Sequence, residues 1–122
     1  MGLNPSGEMY LETIYILGLK NPYVRSIDIA EHMKFSKPSV SRAVGLLKEG
    51  KFISINKDGH ITLTSVGLSV AQKIYERHTV LSNVLMRLGV DEQTALEDAC
   101  KIEHVISDKT FSVLKKHIEE NT

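Results

Sequence analysis

Apolar residues recur three or four positions apart along most of the chain, which is the spacing of one face of an α-helix. In the first 50 residues this spacing predicts three helices, over residues 5–20, 26–33 and 37–50. Local signals support these limits, because Pro5 suits a first helical turn, Ser26 can cap a helix and Gly50 can close one. The short break KFS, residues 34–36, separates the second helix from the third.

The apolar period changes to about two after Gly50, which is the pattern of a half-buried strand. The segments FISIN and HITLT alternate on either side of KDG, and Asp58-Gly59 is a strong hairpin signal. Three more helices are predicted beyond the hairpin, over residues 65–88, 91–104 and 108–119. The chain is therefore predicted to be mainly α-helical with one small β-hairpin.

The predicted order of helix, short turn, helix and hairpin is that of a winged helix-turn-helix. In such a domain the second helix of the motif enters the major groove of DNA. We assign this domain to residues 1–68 and the remaining helices to residues 69–122. A chain of 122 residues has room for one domain, or for a compact domain with a small extension.

The formal net charge is zero, but the charges are unevenly distributed. Residues 34–57 contain six lysines and arginines against one acidic residue, whereas residues 90–104 contain five acidic residues against one lysine. These two segments indicate two partners of opposite charge, such as DNA phosphates and a metal cation.

The sequence indicates a reducing compartment and no membrane. No apolar run reaches the length of about 18 residues that crosses a bilayer, and the N-terminus lacks the pattern of a signal peptide. The single cysteine, Cys100, cannot form an internal disulfide. We therefore expect a cytoplasmic protein in which this thiol is available for another role.

The predicted recognition helix has a small, hydroxylated and cationic face opposite its apolar side. Small residues let a helix sit deep in the groove, hydroxyls bond to phosphates or bases, and Arg42 can reach a guanine edge or a phosphate. The candidate DNA-binding residues are Ser36, Lys37, Pro38, Ser39, Ser41, Arg42 and Lys57. The alternative is that the helical scaffold binds proteins and that its lysines only keep it in solution.

The segment DACKIEHVIS contains three residues that are common metal ligands. Cys100, Glu103 and His104 are separated by three and four positions, and residues at those spacings are neighbours on one face of a helix. Thiolate, carboxylate and imidazole together form a ligand set for a divalent transition metal. The trio lies beside the apolar stripe of its helix, so a solvated glutamate and histidine are an equally good interpretation.

Three further residues with ligand chemistry lie on other helices. His78 falls within a predicted buried stripe of the fourth helix, where a histidine bonded to a backbone carbonyl is the more common arrangement. Met9 usually fills gaps in a core, and Glu12 near the start of a helix is usually solvated. Coordination becomes the better interpretation only if the fold brings these helices together.

Several segments occur in the order found in a known family. EMYLETIY near the start, SIDIAEHMKFSKPSVSRAV at the helix-turn-helix, ITLTSVG after the hairpin, Arg77-His78 and ACKIEHVIS resemble the diphtheria-toxin-repressor family of iron- and manganese-dependent transcriptional regulators. The resemblance covers nearly the whole chain. It implies a DNA-binding domain followed by a helical domain that dimerises, with a divalent metal as co-repressor.

The resemblance also implies a metal site between the N-terminal helix and the dimerisation helices. Its expected ligands are Met9, Glu12, His78, Cys100, Glu103 and His104. The methionine and cysteine match the iron-responsive branch, whereas Glu12 and His78 match the manganese-responsive branch. The iron branch's second site is in doubt, because the glutamate near Ser82 and the histidine near Leu96 are missing. The chain also ends without the SH3-like domain of many iron-type members, so we expect the short form.

The sequence therefore favours a metal-dependent transcriptional regulator, expected to repress metal-homeostasis genes as a homodimer on double-stranded operator DNA. Thiolate and thioether donors favour Fe²⁺, with Mn²⁺ second. The alternative is a metal-independent winged-helix regulator that senses an organic ligand. An enzyme is not expected, because the chain has no HExxH motif and no phosphate-binding glycine loop.

Overall fold

The computed structural model describes residues 3–121, and the elements below are those of this part of the chain. In chain order they are α1 (Pro5–Lys20), α2 (Ser26–Met33), α3 (Lys37–Glu49), β1 (Ile53–Ile55), β2 (Ile61–Leu63), α4 (Ser65–Arg87), α5 (Glu92–Ile102) and α6 (Asp108–Glu120). Strands β1 and β2 pair antiparallel and, with their connecting turn, form the wing, residues 53–63. This order confirms the predicted fold class. No helix of the described chain is long and apolar enough to cross a membrane.

Short polar side chains start four of the helices by accepting a hydrogen bond from a backbone N–H of the first turn. These capping residues are Asn4 for α1, Ser36 for α3, Asp91 for α5 and Ser107 for α6. The predicted start of α2 is wrong in one respect, because Arg25 is its cap and Ser26 is already helical. The Asp28 carboxylate accepts a 2.9 Å hydrogen bond from the Arg25 backbone N–H, so the contact comes from inside the helix.

The fifth helix ends earlier than predicted, at Ile102 rather than at His104. The backbone N–H of Val105 and that of Ile106 both donate to the Ile102 carbonyl at 3.0 Å, which tightens the chain into a turn. Glu103 is the C-terminal cap of α5. Gly50 also differs from its expected role, because it has right-handed helical angles and the next residue, Lys51, has the positive φ of 66°.

The chain forms two compact units, the first ending at Gln72 and the second beginning at Lys73, within α4. In the first unit, helices α1 to α3 and the wing surround one apolar core. Leu11, Ile29 and Val40 are completely buried there.

The second unit contains the later part of α4 together with α5 and α6. An ion pair of 2.8 Å joins Lys115 of α6 to Glu76 of α4, and the Arg87 guanidinium donates to the Asn121 carbonyl at 3.1 Å. The buried apolar side chains of this unit are Ile74, Leu81, Ala95, Ala99 and Phe111.

Gly67, in the first turn of α4, lies against the backbone that enters the wing. A Cβ atom at this position would be 2.0 Å from the carbonyl oxygen of Phe52. Thr64 stabilises this close contact between α4 and the segment before the wing. Its hydroxyl donates to the Lys51 carbonyl at 2.8 Å and accepts a 3.1 Å hydrogen bond from the Gly67 N–H. Only glycine leaves room for this contact between α4 and the wing.

Replacing Gly67 by alanine should therefore destabilise the protein by about 3 kcal/mol, near the upper end of overpacking effects. Gly18→Ala in α1 is the matched control, because no atom lies within 4 Å of its added Cβ. That substitution should be neutral or stabilising by up to about 1 kcal/mol. Urea unfolding of the chelated proteins, followed by circular dichroism, measures both free energies. Equal stabilities of the two variants would show that the close approach is absent.

Candidate DNA interface and metal centre

Helix α3 has a buried side and an exposed side within the first unit. The buried side consists of Val40, Val44 and Leu47. The exposed side includes Ser39, Ser41, Arg42 and Gly45. The exposed side carries hydroxyls, one guanidinium and a position without a side chain, as a helix that enters a DNA groove requires. Contact of these residues with DNA stays a prediction.

The first turn of α3 contains the other predicted recognition residues. Lys37 and Pro38 are exposed, while the Ser36 hydroxyl accepts a 3.3 Å hydrogen bond from the Ser39 N–H. The Ser36 and Ser39 hydroxyls also lie 2.9 Å apart. Ser36 therefore has a capping role that explains its presence independently of DNA.

Lys57 is exposed in the turn of the wing. The Asn56 side-chain oxygen accepts hydrogen bonds from the backbone N–H groups of Asp58 and His60, both at 2.9 Å. Gly59 takes the positive φ of 81° that such a tight turn requires. The turn is thus held by its own side chains, and it presents the Lys57 ammonium to solvent.

Arg25 is a cation beside the wing that the sequence analysis did not identify. Val24 pairs antiparallel with Ile61, which places residues 25 and 60 side by side. The Arg25 Nη2 atom lies 3.1 Å from His60 Nε2, and the Tyr23 and His60 rings are 4.8 Å apart at their centroids. No local signal could have found this group, because the pairing joins segments more than 30 residues apart along the chain.

In the second unit, two imidazoles lie near one buried carboxylate. His78 Nδ1 is 3.5 Å and His104 Nε2 is 3.7 Å from Glu103 Oε1. The Glu103 side chain is completely buried, that of His104 is 5% exposed and that of His78 is 24% exposed. The interpretation of Glu103 as a solvated residue is therefore wrong. The fold brings together His78 of α4 with Glu103 and His104 at the end of α5.

These residues fit a divalent cation. Among residues 3–121, no hydrogen-bond donor reaches either carboxylate oxygen of Glu103. A buried carboxylate without donors costs several kcal/mol, and such groups are found paired or bound to metals. One carboxylate and two imidazoles are donors that divalent transition metals accept.

Cys100 lies on α5 one turn before Glu103 and is partly buried. The Glu103 N–H donates to the Ala99 carbonyl at 2.9 Å, so the helical path continues through Glu103. Cys100 and Glu103 therefore keep the three-residue spacing that places both on one side of the helix.

Met9 and Glu12 belong to α1 in the first unit. Met9 is half-buried, while Glu12 is only 6% exposed. The expectation that Glu12 is a solvated carboxylate is therefore wrong, and its burial is unusual for a glutamate.

Two family profiles match successive parts of the chain. Residues 2–61 match the N-terminal DNA-binding domain of the iron dependent repressors. Residues 64–122 match the metal binding and dimerisation domain of the same repressors. Together the two matches cover almost the whole chain.

Two proteins of similar sequence are transcriptional regulators. An uncharacterized HTH-type transcriptional regulator of Methanocaldococcus jannaschii is 32% identical over 120 residues, which are 97% of this chain and 96% of that protein. The HTH-type transcriptional regulator MntR of Bacillus subtilis is 35% identical over 103 residues, which are 84% of this chain and 72% of MntR.

Solved structures share the fold. The manganese regulator SloR has a TM-score of 0.83 at 30% identity, covering 98% of this chain and 55% of the SloR chain. The chain thus spans about half the length of SloR. A hypothetical protein from Sulfolobus solfataricus is 23% identical and has a TM-score of 0.72. The match covers 97% of this chain and 91% of the Sulfolobus chain. At that identity the likeness concerns the fold alone.

Replacing Arg42 by alanine should weaken binding to DNA by about 1–3 kcal/mol, the usual cost of losing one specific contact, and leave metal affinity unchanged. The DNA is first selected in vitro with the metal-loaded wild-type protein, and fluorescence anisotropy then measures affinity at several salt concentrations. Lys116→Ala is the control, because it removes one exposed positive charge from α6. If the two variants bind DNA equally well, α3 does not face the groove as predicted.

Proposed function

Because the chain belongs to the iron-dependent repressor family, we propose that its buried carboxylate Glu103 makes operator binding depend on a divalent metal. The family membership confirms the resemblance drawn from the motifs. The protein is a metal-dependent transcriptional regulator with a DNA-binding domain and a metal-binding, dimerising domain, and it is not an enzyme.

We place the boundary between these two domains at residue 68, so that residues 1–68 bind DNA and residues 69–122 bind metal and dimerise. Two observations support this position. It lies close to the gap between the family matches, which end at residue 61 and resume at residue 64. It also lies within the first turns of α4, before the second compact unit begins at Lys73.

The observation that carries the metal proposal is the burial of Glu103 without hydrogen-bond donors, close to two imidazoles. We propose His78, Glu103 and His104 as ligands, with Cys100 as a fourth from the same unit. We add Met9 and Glu12 of α1 because they occupy the family's ligand positions and because Glu12 is a buried carboxylate. The exposed residues of α3 and Lys57 of the wing contact the operator.

When bound, the cation supplies positive charge and coordination bonds that hold ligands of the two domains together. The ligands on α1 thereby fix the DNA-binding domain, and α3 with it, relative to the dimerisation domain. In a dimer this fixes the separation of two recognition helices, which must match successive major grooves. A typical coupling of about 1–3 kcal/mol changes DNA affinity roughly 5- to 150-fold.

The second domain has apolar surface that a second copy of the chain can cover. Leu88, Val105 and Val113 are 77%, 76% and 64% exposed in the single chain. Large exposed apolar side chains of this kind are typical of association surfaces. The partners of the regulator are thus operator DNA and a second copy of the chain, and DNA as a partner is the reason to place its action in the cytoplasm.

We propose Fe²⁺ as the preferred ion and Mn²⁺ as the second. Both MntR and SloR are regulators, and SloR is a manganese regulator, which is the reason to keep Mn²⁺ as the second ion. Manganese suits oxygen and nitrogen donors, whereas thiolate and thioether groups favour softer ions. Cys100 and Met9 supply such softer donors in this chain, so the selectivity depends on these two side chains.

Glu103→Gln should abolish the stabilisation by metal and leave the metal-free protein as stable as the wild type or more so. The amide has the same shape without the buried charge, so it removes a penalty as well as a ligand. Thermal unfolding at pH 8, with and without metal, measures both effects. Free metal at about 100 times its Kd adds about 2.7 kcal/mol to the unfolding free energy of a protein that binds it.

Glu97→Gln is the matched control, since Glu97 is an exposed glutamate of the same helix. It should respond to metal like the wild type, and its metal-dependent DNA binding should persist. Retention of the metal-induced stabilisation in Glu103→Gln would remove Glu103 from the site and the proposal with it.

Cys100→Glu should lower the ratio of Fe²⁺ to Mn²⁺ affinity by about tenfold, because a hard oxygen replaces the thiolate. The ratio is the informative quantity, since most sites bind Fe²⁺ more tightly than Mn²⁺. Anaerobic titration of the metal-free protein with each ion gives the two constants. Cys100→Ser separates loss of the thiolate from gain of a carboxylate. An unchanged ratio in both variants would show that Cys100 does not determine selectivity.

A further inference from the structure

We propose that Arg77, which is not a metal ligand, is the positioning residue that holds Glu103 and His104 in place for metal binding. This inference rests on the proposed function of Glu103. Arg77 immediately precedes His78 on α4, so one short stretch of α4 provides a ligand and fixes the turn that carries two others.

The Arg77 guanidinium contacts three acceptors in the turn between α5 and α6. Its Nη1 atom donates to the Glu103 carbonyl at 3.1 Å and to the Ile106 carbonyl at 2.9 Å. Its Nη2 atom bonds to the Asp108 carboxylate. These acceptors span six residues, so one side chain connects the beginning of the turn to its end.

Neighbouring side chains hold the Arg77 guanidinium in place. Arg77 is 7% exposed, and its Cζ atom lies 5.6 Å from the centroid of the Phe111 ring, within the range of a cation–π contact. Lys73 Nζ lies 3.0 Å from the Asp108 carboxylate. The hydrogen bond and charge of Lys73, and then the charge of Arg77, lower the pKa of Asp108, so this carboxylate stays negative.

The turn needs such a partner because α5 ends directly before Glu103 and His104. Carbonyl groups at the end of a helix lack the partners that the next turn would supply. The Glu103 carbonyl is one of them, and Arg77 supplies its donor. Since the Glu103 side chain receives no hydrogen bond from the described residues, its position near the imidazoles depends on its backbone, which Arg77 holds from the carbonyl side and Ala99 from the N–H side.

Lysine cannot replace arginine in this role. A guanidinium is planar and presents donors on separate nitrogen atoms, whereas the three donors of an ammonium lie on one atom. A lysine at position 77 can bond to part of the turn but cannot span the two carbonyls and the carboxylate. Arg77→Lys therefore keeps the charge and removes the positioning.

Arg77→Lys should weaken metal affinity about 10- to 100-fold, the usual effect of losing a group that orients a ligand. Titration of the metal-free protein measures the affinity, and urea unfolding of the same protein measures stability separately. The visible spectrum of the Co²⁺-loaded protein adds a readout of ligand geometry, and it should change in band position or intensity. A purely structural role predicts lower stability with an unchanged spectrum and unchanged affinity.

Lys115→Ala is the matched control, because it removes a different polar contact between α4 and α6, the ion pair with Glu76, and leaves the turn untouched. It should keep the affinity and the Co²⁺ spectrum of the wild type. If Arg77→Lys does not fold, Asp108→Asn takes its place, since Asp108 is exposed and its change removes the charged partner of Nη2. Lys73→Ala is compared with it, because Asp108→Asn also removes the ion pair with Lys73. Asp108→Asn should lower metal affinity several-fold.

The results separate this inference from the proposed function. Normal metal affinity and a normal Co²⁺ spectrum in Arg77→Lys, with loss of binding in Glu103→Gln, would overturn the role of Arg77 and leave the metal site intact. Where Arg77→Lys does not fold, wild-type affinity in Asp108→Asn overturns that role. Normal binding in Glu103→Gln would overturn the metal site itself.

Discussion

A carboxylate with no access to solvent needs positive charge or hydrogen-bond donors close to it. Glu103 is 0% exposed, and no donor of the described residues reaches its oxygens. The ionised group in that position costs several kcal/mol, a large fraction of the stability of a small domain. A cation bound to this carboxylate would lower the cost, and for that reason we assign the proposed metal site to the end of α5.

In the second unit, the acceptors of the turn after α5 and the carboxylate of Glu103 have different partners. The carbonyls and the carboxylate of the turn after α5 receive a permanent cation, the Arg77 guanidinium. The Glu103 side chain receives none from the described chain, and we assign its cation to the exchangeable metal. The permanent charge of Arg77 fixes the backbone, whereas an exchangeable metal would make the unit respond to the metal concentration. The division explains why a buried arginine contacts the backbone of a buried glutamate and does not bond to its carboxylate.

Most of the fold could be predicted because its signals are local. Capping residues such as Ser107 lie within three positions of the groups they satisfy, so the limits of most helices agreed with the structure to within a residue or two. Burial of polar residues could not be predicted in the same way, because periodicity describes one helix and not what covers it. Composition and spacing therefore favour a solvated Glu12 and do not distinguish a solvated Glu103 from a metal ligand, whereas both side chains are buried. Arg25 was missed for the same reason, since a distant strand brings His60 to it.

The effect of a bound cation depends on which state carries the penalty of the buried carboxylate. A ligand shifts an equilibrium only by the difference in its affinity for the two states, however tightly it binds to either. A ligand set that costs nothing to form would bind the ion and leave that difference small. A buried carboxylate without hydrogen-bond donors among the described residues instead lowers the stability of the second unit, and a cation bound to it would remove this penalty. The charge of Glu103 therefore makes the proposed metal binding a change in the stability of that unit as well as a contact with the ion.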